Sequence, residues 1–439
     1  VHFSKSRLNT FSYPPWPLMM RTPADNRIVP SPNGLSPRKK SSWSDLAIFG
    51  GEPAFAEPLH VGRPHLPDRA KFERAMDRIW DSRLLSNNGP FVQELEARFA
   101  EMAGTRHAIA TCNATLALQL VARGLDLRGE VILPSFTFIA TAHAFRWEGL
   151  TPVFADVDPQ THCLDPDQLE SLITDDTAAI AGVHLWGNVC DVERLEALAK
   201  KYGLYLLFDA AHALGSSGPC GRIGAYGDAE VFSLHATKIV SGFEGGMVTT
   251  NSDLLAHHLR SLRNFGFAGY DDVRGIGTNA KMSEPSAAMA LCGLDDLDSA
   301  VAHNRANLDR YRSVFQSLNG IQLVEPADPR GTNAQYIVLD IDEREAGMSR
   351  DRLMEALWAE GVRARRYFHP GCHLSEPYRW ECRDAAERLP VTDELSRRLL
   401  VLPTGTSVGE GEIRAVGAIF EVCHAASRRL NERDLASAA

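Results

Sequence analysis

The sequence predicts an α/β protein with a large domain on a mostly parallel sheet and a smaller α+β domain at its C-terminal end. Two patterns carry that expectation. From about residue 46 to residue 300, short and nearly continuous apolar runs alternate with amphipathic stretches, as strands covered on both faces by helices require. Beyond residue 300 the alternation stops, and a long helical stretch leads into a half-exposed strand pattern and further amphipathic helix.

Taken in order, residues 1–45 carry Pro14, Pro15, Pro17, Pro23, Pro30, Pro32 and Pro37, a basic Arg38-Lys39-Lys40 run and no period, and read as a disordered tail. Because the chain starts at Val, initiation at Met19 or Met20 is an expectation that intact mass would check. His107–Thr111, Val131–Leu133, Pro152–Ala155, Ala178–His184 and Tyr205–Phe208 read as strands. Asp165-Pro166-Asp167-Gln168 supplies a helix cap, a first-turn proline and a capping-box partner. Asp191 opens the Val192–Tyr202 helix and Gly203 closes it. Asp298–Leu318 reads as a long helix, Gln335–Ile341 as a half-exposed strand, and Arg350–Glu360, Leu395–Val401 and Glu410–Arg428 as helices. The expected limits are therefore a tail at 1–45, a large domain at 46–300 and a small domain at 301–439.

A net charge of −10 argues against a general binder of nucleic acid or membrane surface. No apolar run approaches eighteen residues, so no membrane span is expected. The eight cysteines form no CxxC pair, which points away from a metal site and toward free thiols in a reducing cytoplasm.

Ligands of open α/β sheets sit beyond the carboxyl ends of the strands. Asp209 follows the Tyr205–Phe208 run, where it can cap the next helix or hold a proton on a pyridine nitrogen. In Ser233-Leu234-His235-Ala236-Thr237-Lys238, Lys238 is either a surface lysine or a buried amine nucleophile, and Ser233 can offer a hydroxyl to phosphate. Ala110–Leu116 turns from a strand into the helix that begins at Ala114, and its start is either an ordinary βα turn or an anion site made by free N–H groups and the helix dipole. Phe138 is core or stacks on a planar ring.

The order and spacing of these pieces resemble the layout of a fold-type I pyridoxal-phosphate enzyme. More narrowly, the chain resembles the DegT/DnrJ/EryC1/StrS family of sugar aminotransferases from about Trp43 to Arg428. The resemblance rests on Ser86-Asn87-Asn88-Gly89-Pro90, Asp209-Ala210-Ala211-His212, Ser233–Lys238 with Glu244-Gly245-Gly246, Gly277–Glu284 and Pro403-Thr404-Gly405-Thr406. It implies pyridoxal 5′-phosphate joined to Lys238, with Asp209 on the ring nitrogen, Phe138 on the ring face, and Ala114, Thr115 and Ser233 on the phosphate. It also implies a homodimer in which Asn279 reaches the neighbouring subunit's phosphate. Many members carry Gln where this chain has His212, which leaves the contact to the cofactor's phenolic oxygen open.

Val183–Gly187, Asn264–Phe267 and Tyr367–His373 are similar to members that aminate C4 of a sugar. They imply dTDP-4-keto-6-deoxy-D-glucose as acceptor and L-glutamate as donor. Arg263, Lys281 and Arg365 are the cations available to a nucleotide diphosphate. Trp186, Phe243, Tyr367, His369 and His373 are the other candidates for the sugar pocket. Rival readings are amination at C3 of a related keto-sugar, a pyridoxal-dependent dehydratase, and a non-catalytic regulator on the same fold. Dehydratases of this type replace the lysine with His, which Lys238 speaks against.

Overall fold

All five strands expected from the apolar runs form in the computed structural model, which describes residues 36–437 apart from Cys220 and residues 382–384. They are β1 (His107–Thr111), β2 (Glu130–Pro134), β3 (Thr151–Ala155), β4 (Thr177–Val183) and β5 (Tyr205–Asp209). Two further strands, β6 (Ala229–Ser233) and β7 (Gly246–Thr250), complete one seven-stranded sheet in the order β1-β7-β6-β5-β4-β2-β3. Only β7 runs antiparallel to its neighbours. Every residue of β6 and β7 is buried, so neither shows the polar alternation that would mark it in the sequence.

The register places the functional ends together. Gly246, first in β7, stands opposite Thr111 at the end of β1 and opposite Ser233 at the end of β6. Asp209, last in β5, pairs with Val231 one strand over.

The C-terminal region carries a three-stranded antiparallel sheet of β8 (Ile321–Leu323), β9 (Ile337–Ile341) and β10 (Leu399–Leu402), in that order. Two expectations need correction here. The helix expected at Leu395–Val401 is Pro390–Arg398, and the chain becomes strand at Leu399 because Leu399–Leu402 is wholly apolar and pairs with β9. Nor is β9 half-exposed: Val338 packs into the main core while Ile337 and Leu339 pack into a second one, so both faces are covered.

The expected boundary at residue 45 also differs. Leu46, Ile48, Phe55 and Leu59 share the second core with Leu357, Val362 and Phe420, and Leu59–His60 pairs in parallel with Val362–Arg363. Lys40 is buried and ion-paired to Glu360. The N-terminal strap thus packs on this second core, and the part of the expected tail before residue 36 lies outside the described residues. Among the described residues, no helix is long and apolar enough to cross a membrane.

Candidate active site

Asp209 ends β5 and is 8% exposed. Its Oδ1 accepts the Ala211 amide at 3.0 Å and its Oδ2 accepts the Thr141 hydroxyl at 2.8 Å. The chain turns through residues 211–215 without entering a helix, which removes the capping alternative. Both oxygens are fixed, and the charge is directed into the site.

Lys238 follows β6 on a turn closed by its own amide donating to the His235 carbonyl at 2.9 Å. Its side chain is half-buried, with Nζ donating to the Tyr336 hydroxyl at 3.3 Å. Burial lowers the amine to about 8, and the Asp209 charge pulls it partly back up. A substantial fraction is therefore neutral amine near physiological pH. Burial above all, with Tyr367 and the Asp209 carboxylate nearby, pushes the Tyr336 phenol well up, so it stays protonated.

His212 is buried and stacks on Tyr336, with ring centroids 4.3 Å apart. Burial, reinforced by Lys238, pushes its imidazole well below the usual range, so the ring is neutral. Its Nδ1 is buried and has no hydrogen-bond partner. A buried polar atom of this kind calls for a ligand.

Asn113 caps the helix Ala114–Gly124 through its Oδ1, which accepts the Leu116 amide at 2.8 Å. The earlier amides of Ala114 and Thr115 stand at the positive end of that helix. Gly246 must be glycine, because a Cβ there would lie 2.5 Å from the Asn113 carbonyl carbon. Phe138 is 57% exposed just before the helix Ile139–Trp147, which excludes the core alternative and leaves its ring available for stacking. The set contains an amine for an aldehyde, a carboxylate for a ring nitrogen, a helix terminus and hydroxyl for a phosphate, and an unsatisfied imidazole. It fits pyridoxal phosphate.

The sequence matches the DegT/DnrJ/EryC1/StrS aminotransferase family over residues 67–421. The chain belongs to that family. A dTDP-4-amino-4,6-dideoxy-D-glucose transaminase of Shigella dysenteriae is 38% identical over 315 residues, covering 72% of this chain and 85% of its own. The GDP-perosamine synthase of Caulobacter vibrioides is 35% identical over 375 residues, covering 83% and 98%. The crystal structure of DesI in the presence of its TDP-sugar product is 49% identical, with a TM-score of 0.84 over 90% of this chain and 100% of the DesI chain. This aminotransferase therefore carries the expected fold and the expected amino-transferring class.

The aminotransferase distributes the expected sugar-pocket residues unevenly. Tyr367, Phe138, Arg365 and His369 line one open groove of about 430 Å³. Trp186 is only 5% exposed; its Nε1 donates to His162 at 3.2 Å and its ring stacks on Phe368 at 5.4 Å. It therefore backs the site. Phe243 is half-exposed on the loop before β7, edge-on to Phe72 at 5.8 Å. Lys281 lines a separate cavity of about 220 Å³, donates to Asn264 at 3.0 Å and lies over the Phe265 ring. Asn279 is exposed and bridges Asn264 on the same loop.

Two candidates are corrected. Arg263 is consumed by a buried ion pair with Glu96 and by bonds to the Ala110 carbonyl and Asn88, leaving no fork for a diphosphate. His373 is 1% exposed, with Nδ1 against the Ser135 hydroxyl at 2.7 Å and Nε2 3.2 Å from Asp393 in the helix Pro390–Arg398, so it is buried between these two segments and does not line the groove. Thr141 and Tyr336 join the site without being among the residues expected from the sequence. Thr141 could have been found one helical turn past Phe138; Tyr336 left no local signal, since it arrives from the C-terminal part of the chain.

Proposed function

We propose that this chain transfers an amino group from L-glutamate to the C4 ketone of dTDP-4-keto-6-deoxy-D-glucose, giving dTDP-4-amino-4,6-dideoxy-D-glucose, with pyridoxal 5′-phosphate as cofactor. The observation that carries the chemistry is the Lys238 amine held 3.3 Å from the Tyr336 hydroxyl, where burial lowers it to about 8 and the Asp209 charge pulls it partly back up. The 49% identity to DesI across that whole chain supports a TDP-sugar as substrate.

When bound, the cofactor supplies an electron sink that acidifies the carbon bonded to the transferred nitrogen. Asp209, both oxygens fixed by Thr141 and Ala211, would hold the proton on the ring nitrogen. Ala114, Thr115 and Ser233 would hold the phosphate, Phe138 would cover one ring face, and His212 would meet the phenolic oxygen. Lys238 Nζ takes the proton from the donor's α-carbon in one half of the cycle and delivers one to sugar C4 in the other. Between those steps the Tyr336 hydroxyl keeps the free amine in place. The working assembly in this reading is a cytoplasmic homodimer, with Asn279 of each copy serving the other's site.

The test is to incubate the purified protein with cofactor, glutamate and dTDP-4-keto-6-deoxyglucose and examine the sugar by NMR. An amine at C4 supports the proposal. An amine at C3 changes the regiochemistry, and loss of a hydroxyl without gain of nitrogen replaces transamination by dehydration.

A further inference from the structure

Two cavities of very different size meet at Tyr367. One is the open groove of about 430 Å³; the other is a chamber of about 40 Å³ lined by Lys238, Tyr336, Arg63, His65, Thr404 and Thr406. A single water needs roughly 10–15 Å³ of such space, so the chamber is the tighter of the two and suits a carboxylate-sized group.

We propose that the chamber binds the α-carboxylate of the amino donor, with Arg63 supplying the charge and the Thr404–Thr406 turn supplying hydroxyls. This rests on the transamination reading and adds where the second substrate is recognised. Donor and acceptor must present their reacting carbons to the same amine, so they can differ in placement only beyond it. The α-carboxylate is the donor group nearest the reacting carbon, and the chamber is the space nearest Lys238 that suits it.

The sequence builds this chamber deliberately. Gly62 has φ +72°, and a Cβ there would lie 2.9 Å from the Thr237 Cβ, so this glycine lets the N-terminal strap lie directly on the lysine loop. That places Arg63 at the chamber wall. Arg63 is exposed at the rim of the chamber, and among the described residues no ion pair engages it, so its guanidinium can meet a carboxylate in bidentate fashion. Beyond burial, Arg363, Arg63 and Arg365 all push the His60 imidazole down, a local cationic field in a chain of net charge −10. His65 shares a hydrogen bond with Thr406 at 2.9 Å through Nδ1, while its Nε2 is buried without a partner.

The experiment follows the two half-reactions separately by cofactor absorbance, in wild type, R63Q and R63K. One adds glutamate to the pyridoxal form, and the other adds keto-sugar nucleotide to the amine form. The expected result for R63Q is an apparent Kd for glutamate raised roughly ten- to hundredfold with the sugar half-reaction unchanged, and R63K between the two. An unchanged glutamate dependence overturns the proposal. So does a defect confined to the sugar half-reaction, which would assign Arg63 to the nucleotide. A wild-type protein whose cofactor absorbance responds to no amino acid would sink the transamination reading itself.

Discussion

Lys238 Nζ stands 3.3 Å from the Tyr336 hydroxyl, although the two residues lie 98 positions apart in the chain. The contact is braced on both sides. Gln335 donates to the Thr237 carbonyl at 3.0 Å, and Asn333 donates to the His212 and Leu214 carbonyls at 2.9 and 3.0 Å. One short segment of the C-terminal part is thereby stitched to both the lysine loop and the Asp209 turn. Small shifts between the two cores will be felt at the reacting amine.

The lowered lysine sets a pH dependence. Only the neutral amine attacks an aldehyde, so cofactor uptake by cofactor-free protein should rise with pH up to about 8 and then level off. Y336F removes an acceptor that favours the ammonium, which lowers Lys238 further and moves the plateau to lower pH. Turnover should fall about tenfold, since one hydrogen bond to a charged group is worth roughly 1.5–3 kcal/mol. Identical profiles for Y336F and wild type would remove Tyr336 from the mechanism.

Asp209→Asn keeps the shape of the side chain and removes its charge. Turnover should drop by about a hundredfold or more, the scale of a lost electrostatic stabiliser at an active site. The Lys238 plateau should also shift to lower pH, because the Asp209 charge is what holds it up. The urea midpoint should correspond to a stability change of no more than about 1 kcal/mol, as an amide can still accept from Thr141 or Ala211. Near-normal turnover would exclude the ring-nitrogen role.

The parts legible in the sequence are those whose cause is local. The turn at Asn113, the strand-end Asp209 and the lysine six residues into Ser233–Lys238 each combine a residue type with a position that backbone geometry alone dictates. His373 and Arg263 misled because their partners, Ser135 with Asp393 and Glu96, lie far away in the chain; type and neighbourhood could not reveal that both were already engaged. Tyr336 leaves no local signal for the converse reason, since its position depends on Asn333 and Gln335 reaching the His212 and Thr237 carbonyls, distant in the chain. The expected helix Leu395–Val401 overlaps the Leu399–Leu402 strand because four buried apolar residues carry no period of their own.

Gly246 gives a test of the phosphate end. Its alanine variant forces a Cβ to within 2.5 Å of the Asn113 carbonyl carbon, so the cap residue and the first turn at Ala114 and Thr115 must shift. Cofactor affinity should fall at least tenfold, read by equilibrium dialysis, and turnover should recover partly at high cofactor concentration. Because Lys238 and Asp209 lie on other loops, their chemistry should survive in the saturated variant. Unchanged affinity would move the phosphate away from this helix end.

The N-terminal strap makes the last prediction. Lys40 Nζ lies 3.0 Å from Glu360 Oε2, with both side chains buried, and it also donates to the Asp45 and Glu52 carbonyls. Glu360 in turn accepts the Ala47 and Ala54 amides at 2.6 and 2.7 Å. K40M leaves the carboxylate buried without its cation and should destabilise by about 3 kcal/mol, measured by urea unfolding. E360Q in the same chain removes the stranded charge, so the double variant should regain part of that loss. The cofactor contacts proposed here involve neither residue, so the cofactor's absorbance in the folded protein should not change. A single variant as stable as wild type would mean that the segment around Lys40 does not dock on the second core in solution. The path by which the strap delivers Gly62 and Arg63 to the lysine loop would then need another anchor.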